Sequence, residues 1–193
     1  VFLDIADHQR FTNGLTEYND ANPARDPRNR VVMPRVKLVE ILCYCLMPNH
    51  FHLMLRQVKD EGITQFMRKL GTGYTMYFNK KYDRSGVLFQ GIFKSVSVEK
   101  DTYLRYLPHY IHLNPLELST IVGNVRENAA IATSRHLRGY RWSSYPEYVG
   151  TMKSSITDTE YLNALYAPAG YDAALADWIQ EYDARVVAPV ALD

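Results

Sequence analysis

The stretch Lys37–Arg56 constrains the fold most, because it is apolar, rich in β-formers and interrupted only at Pro48-Asn49. A proline in a helix interior removes a hydrogen bond and clashes with the turn before it, so this run cannot be one helix. Two strands joined by a tight turn satisfy the pattern. Helical spacing surrounds the hairpin. Phe11, Leu15 and Tyr18 recur at i, i+4 and i+7 and predict an amphipathic helix over residues 5 to 20, stopping in the polar, proline-containing stretch 22–30. Ile63, Phe66, Met67, Leu70, Tyr74, Tyr77 and Phe78 share one helical face and predict a long helix from Gly62 to Tyr82. Asp83-Arg84-Ser85-Gly86 reads as a turn, and Val87 to Val98 as two short strands hinged at Gln90-Gly91. A further helix is expected from Asp101, a suitable N-cap, to Asn114, where Pro115 disfavours continuation. The order helix, strand, strand, helix, strand, strand, helix gives an α+β class, an antiparallel sheet with helices packed on it. Two more helices are expected within residues 157–185, around the break Ala167-Pro168-Ala169-Gly170.

Composition narrows the function classes. The 22 Lys+Arg against 21 Asp+Glu leave a formal charge of +1, which excludes a uniformly cationic nucleic-acid coat while leaving room for a local basic groove. With 47% hydrophobic and 22% charged residues the chain is not a disordered tail. The longest apolar run, Ile41 to Met47, is far shorter than the roughly 20 residues of a membrane helix, so no membrane partner is expected. Val1-Phe2-Leu3-Asp4 carries neither an initiator Met nor a basic segment, so no signal peptide is visible and a start inside a longer gene product is expected. Cys43 and Cys45 alternate onto one strand face, where a mutual disulfide is disfavoured. Reduced thiols fit a cytoplasmic location.

The chemistry-bearing pattern is His50-Phe51-His52. Strand alternation sends both imidazoles to one face, within reach of one metal ion, and Phe51, Leu53 and Leu55 toward a core. Downstream, Tyr110 and Asn114 are i, i+4 at the end of a helix and share a face. A phenol and an amide oxygen presented together suit a nucleophile and a third metal donor in transesterification at phosphorus. The same residues also fit a packed tyrosine and an asparagine closing a helix.

Four motifs in order carry a resemblance: Met47-Pro48-Asn49-His50-Phe51-His52; Gly86-Val87-Leu88-Phe89-Gln90-Gly91-Ile92-Phe93-Lys94-Ser95; Tyr110-Ile111-His112-Leu113-Asn114-Pro115; and Trp142-Ser143-Ser144-Tyr145. Together they resemble the REP-associated tyrosine transposases, a branch of the HUH single-tyrosine transposases of insertion sequences. The resemblance implies an HUH endonuclease fold (ferredoxin-like, RRM-like) over residues 1–150, with its first strand missing, and a helical C-terminal extension over 151–193. It implies a Mg or Mn ion on His50, His52 and Asn114, with Tyr110 as nucleophile. The implied activity is cleavage and rejoining of single-stranded DNA at hairpin-bearing sites through a 5′-phosphotyrosine, by a monomer or homodimer.

Several other residues are candidates for the DNA surface. Arg135, Arg138 and Arg141, with Trp142 and Tyr140 for stacking, make a basic aromatic stretch, and Lys94 and Arg56 are further phosphate contacts. Tyr103 and Tyr106 precede Tyr110 by seven and four residues and are rival nucleophiles, whereas His109 and His112 are expected to be exposed or to contact DNA. Tyr74 and Tyr77 are expected in the core. Two other functions fit the same residues: a hairpin-binding protein of this fold with impaired catalysis, and a metal-dependent phosphodiesterase without a covalent step.

Overall fold

The proline break does divide the apolar run into a hairpin. In the computed structural model, which describes residues 1–22, 34–118 and 129–181, β1 (Val39–Leu46) and β2 (Phe51–Gln57) form a two-stranded antiparallel sheet. The remaining described elements are helical: α1 (Ile5–Glu17), α2 (Gly62–Lys81), α3 (Asp101–Leu113) continuing into a 3₁₀ turn (Asn114–Leu118), α4 (Ala129–Gly139), α5 (Tyr145–Tyr148), α6 (Thr159–Leu165) and α7 (Tyr171–Glu181). The protein is therefore α+β. The predicted polar loop at 23–30 and the end of the C-terminal extension, 182–193, lie outside the described residues. None of the described helices is long and apolar enough to cross a membrane.

The chain divides into two compact units. The first comprises Val1–Ile41 and Leu55–Phe93, the second Leu42–Met54 and Lys94–Asp193, so the hairpin tip belongs to the second. In the first unit, α1 starts at Asp4, whose side chain accepts from the Asp7 N–H while the Asp7 carboxylate reaches back to the Asp4 N–H. Phe11 and Leu15 on α1 and Phe66, Leu70, Tyr74 and Phe78 on α2 are buried, and Phe11 meets Tyr74 edge-on at 5.1 Å. Two glycines of α2 permit close approaches: a β-carbon at Gly62 would stand 2.2 Å from the Leu38 carbonyl oxygen, and one at Gly73 would stand 2.2 Å from the Tyr18 hydroxyl. Tyr74 lies in the core as expected, whereas Tyr77 is half-buried.

The same unit buries one carboxylate. Asp7 accepts hydrogen bonds from Lys81 Nζ (2.7 Å), the Tyr82 hydroxyl (2.8 Å), the Leu3 N–H (2.8 Å) and the Tyr77 hydroxyl (3.1 Å). Burial works to raise its pKa, but these donors overcome the penalty and hold it at about 2.

Residues 87–98 do not form the two expected strands. Val87 and Ile92 are 83% and 90% exposed. A β-rich sequence becomes a strand only where an edge pairs with it and a face is buried, and here neither condition is met.

The second unit is built on the hairpin tip, where the Met47 N–H bonds the His50 carbonyl (2.9 Å). Cys43, Cys45 and Met47 from β1 and the tip join Met54, Ile111, Leu137, Tyr145, Leu162, Tyr171 and Leu175 in one buried cluster, and both cysteines are free thiols. Segment 142–144 lies along β1, with Ser143 bridging Cys45 and the Leu46 N–H bonding the Trp142 carbonyl (2.9 Å). The inward residue of β2 is Met54, on the His52 side, whereas Phe51, Leu53 and Leu55 are only half-buried, contrary to expectation.

The α3 helix also departs in detail. Its N-cap is Lys100, without a side-chain bond, and Asp101 sits in the first turn, where its charge suits the helix dipole. Pro108 lies within the helix, buried, and Pro115 sits inside the 3₁₀ turn that tightens the chain after Asn114.

Candidate active site

Three elements of the second unit meet at the histidines. His50 ends the hairpin turn and His52 lies on β2; their rings are edge-on at 4.9 Å, with the two Nε2 atoms 3.1 Å apart. Asn49, next in the turn, accepts a hydrogen bond from His50 Nδ1 (2.7 Å). That bond places the proton on Nδ1 and leaves the Nε2 lone pair directed at the site.

The third element is the end of α3. Asn114 is 5% exposed, and its Nδ2 donates to the Tyr110 carbonyl (2.9 Å) and more weakly to the Ile111 carbonyl (3.4 Å). Its carboxamide oxygen is thereby turned away from the helix backbone and accepts from His52. The Tyr110 ring meets His52 edge-on at 5.7 Å.

The electrostatics favour neutral imidazoles. Burial pushes His52 down to about 4, assisted by His50 and opposed by its bond to Asn114, and burial also lowers His50 against the attraction of Glu117. Both therefore offer lone pairs at neutral pH. Burial, then the Glu117 carboxylate and Tyr103, raise the Tyr110 phenol above its usual range, so it waits protonated.

This donor set fits a small divalent cation. Two ligand atoms at about 2.1 Å from one ion and at right angles are about 3.0 Å apart, which the His50 and His52 nitrogens match. Among the described residues no three His, Cys, Asp or Glu side chains cluster as a metal site, and the Asn114 amide oxygen is the group beside the two histidines that could act as a further donor. A nitrogen and oxygen set without thiolate suits Mn²⁺ or Mg²⁺.

Tyr103 and Tyr106 lie on the Tyr110 face as the spacing requires, in a ladder with centroids 6.1 Å apart at each step and interplanar angles of 19° and 16°. Within this ladder Tyr110 is the ring that meets His52, whereas Tyr106 also meets Trp178 at 5.8 Å. The expectation for His109 and His112 is overturned: they are 3% and 0% exposed. The α6 and α7 helices cover that face. His112 bonds the Tyr171 hydroxyl (2.6 Å) and Ser144 Oγ (2.7 Å), and His109 stacks on Tyr171 at 5.2 Å.

The basic candidates are dispersed. Arg56 pairs with Glu40 in the first unit. Arg138 is ion-paired with Asp172, Arg141 lies over the Trp142 ring at 4.7 Å, and Arg135 and Lys94 are exposed. Arg135, Arg138, Tyr145 and Asp172 line a cavity of about 430 Å³ with residues of α7. Two contributors were not anticipated from the sequence, Asn49 and Glu117. Asn49 could have been found from its position beside His50, whereas Glu117 becomes visible only once the 3₁₀ turn is known.

Residues 33–114 match the family model of IS200-like transposases, a span that contains His50, His52, Tyr110 and Asn114. The match covers less than half of the chain and supports kinship with those transposases over that stretch. No curated protein and no solved structure matches the chain.

Proposed function

We propose that the chain is an HUH single-tyrosine transposase of the REP-associated kind, cutting and rejoining single-stranded DNA beside hairpins. Catalysis is assigned to residues 1–150, with 151–193 as a helical extension, acting in the cytoplasm as a monomer or homodimer. The observation that carries this reading is the meeting of His50 Nε2, His52 Nε2 and the Asn114 amide with the Tyr110 ring. The IS200-like match over the same residues supports it.

In the reaction Tyr110 Oη loses its proton and attacks the scissile phosphorus. The bond from phosphorus to the 3′ oxygen breaks, that oxygen takes up a proton to become a free 3′-hydroxyl, and the 5′ phosphoryl group stays on Tyr110. A divalent ion, when bound, polarises a non-bridging phosphate oxygen. His50 and His52 stay neutral and would hold the ion together with Asn114; Asn49 holds the His50 tautomer, and Asn114 is held by its two bonds to helix carbonyls. Because the phosphodiester energy is kept in the phosphotyrosine, attack by another 3′-hydroxyl rejoins the strand without a nucleotide cofactor.

The test is incubation of a hairpin-bearing single strand with the protein and Mn²⁺ or Mg²⁺, resolved on a denaturing gel. A protein-DNA adduct is expected from the wild type and none from Tyr110→Phe. Cleavage without an adduct, lost in His50→Ala but kept in Tyr110→Phe, would instead establish a hydrolase. Salt-sensitive binding with no cleavage under any divalent ion would establish a hairpin-binding protein.

A further inference from the structure

The α3 helix carries a buried polar group that the proposed reaction leaves unused. His112 lies two residues from Tyr110 and two from Asn114, so at about 3.6 residues per turn it is turned about 200° around the axis from each. Its side chain is wholly buried on the back of the helix.

Both ring nitrogens are engaged there. Tyr171 Oη of α7 lies 2.6 Å from Nδ1, and Ser144 Oγ lies 2.7 Å from Nε2. Ser144 is in turn fixed on β1: its N–H donates to the Tyr44 carbonyl (3.0 Å), and its Oγ accepts the Tyr44 N–H (2.9 Å) and stands 3.3 Å from the same carbonyl. One assignment of protons gives every donor an acceptor. The Tyr171 hydroxyl donates to Nδ1, Nε2–H donates to Ser144 Oγ, and the Ser144 hydroxyl donates to the Tyr44 carbonyl. The opposite tautomer would donate from Nδ1 to Tyr171 and leave that buried hydroxyl proton without an acceptor among the described residues. A hydrogen-bonded tie therefore runs from α7 through His112 and Ser144 to β1.

Direction is what this tie adds. Apolar burial is non-directional and resists separation more than sliding. A short bond between a buried ring and a hydroxyl fixed on a strand defines where α3 stands along β1 and how it is rotated. β1 leads into the turn that carries His50 and pairs with β2, which carries His52, whereas α3 and its end carry Tyr110 and Asn114. The tie sets one pair against the other.

Resting on the reaction proposed above, we propose that His112 is a positioning residue for it: bonded to Ser144, it holds Tyr110 and Asn114 in register with His50 and His52. It touches neither the ion nor the strand.

The test compares Ser144→Ala, His112→Phe and His112→Gln with the wild type in Mn²⁺-dependent adduct formation on a hairpin-bearing strand, where circular dichroism shows each to be folded. The glutamine of His112→Gln places an amide nitrogen near the position of Nε2 and keeps a donor for Ser144, whereas His112→Phe keeps the bulk alone. Ser144→Ala and His112→Phe should lower the single-turnover rate about 100-fold, the scale of a misplacement of about 1 Å, with strand affinity within about threefold of the wild type. His112→Gln should restore most of the rate. Wild-type rates in folded Ser144→Ala and His112→Phe would overturn the positioning role and leave the reaction standing. Equal loss in His112→Gln and His112→Phe would also overturn it, as would a loss confined to strand affinity. If His112→Phe does not fold, Ser144→Ala, which leaves α3 unaltered, decides. No adduct from the wild type would overturn the proposed reaction itself, and the role of His112 with it.

Discussion

The two units bury polar groups in opposite ways. Around Asp7 a charged carboxylate is answered by Lys81, Tyr77, Tyr82 and the Leu3 N–H. Around α3 the second unit encloses imidazoles held neutral by burial, with His109 Nδ1 left without a hydrogen-bond partner and His50 and His52 aiming their Nε2 atoms at one another. A saturated network has no capacity for a ligand, and its role is to fix α1 on α2. Neutral imidazoles bonded to one another at a common point, with no charge answering them, can exchange that bond for a cation, so the difference separates scaffold from chemistry.

Substitutions on the two sides should break different properties. The largest effect is expected at Tyr110→Phe, which should lower adduct formation by at least about 10³-fold while leaving urea unfolding nearly unchanged, because the nucleophilic oxygen alone is removed. Asp7→Ala should do the reverse. Removing the acceptor strands buried donors and should cost about 4 kcal/mol of stability in urea denaturation, with His50 and His52 untouched. Gly62→Ala should follow at about 3 kcal/mol, since the new methyl group would stand 2.2 Å from the Leu38 carbonyl oxygen.

Acid should unfold the units in sequence. His109 is lowered by burial from 6.5 to about 4, and His112 to about 3. Between those values the unfolded chain binds protons that the folded chain refuses, so stability of the second unit falls as pH drops below about 6.5, by about 3 kcal/mol for His109 alone. Asp7, lowered from 3.8 to about 2, destabilises the first unit only when pH falls through that lower window. Hydrogen exchange between pH 7 and 3 should show amides of α3, α6 and α7 opening before those of α1 and α2; simultaneous opening would erase the contrast. The smallest effect is expected at Asn49→Ala, about tenfold in Mn²⁺ affinity, because it frees the His50 tautomer without removing a ligand.

The sequence made the site more legible than the sheet. Pro48 dictates the hairpin, alternation sets His50 beside His52, and the i, i+4 spacing joins Tyr110 to Asn114; each follows from a local period. The strands expected at 87–98 failed because β-propensity is a statement about a pairing edge, which no window of sequence contains. His109 and His112 were misplaced for a related reason. Their helix face is covered by Tyr166, Tyr171 and Trp178, some sixty residues on, and nothing local announces that contact. Arg138 likewise looked available until Asp172 of α7 was placed beside it.

The central claim is that Tyr110, and not its ladder neighbours, receives the phosphoryl group. Digestion of the Mn²⁺-dependent adduct with nuclease and trypsin, followed by fragmentation in a mass spectrometer, reads this directly. Trypsin cuts after Arg105, separating Tyr103 from a peptide that begins at Tyr106 and contains Tyr110. The account predicts a nucleotide mass on Tyr110 in that second peptide. The same mass on Tyr103 or Tyr106, or an adduct that survives Tyr110→Phe unchanged, would contradict it.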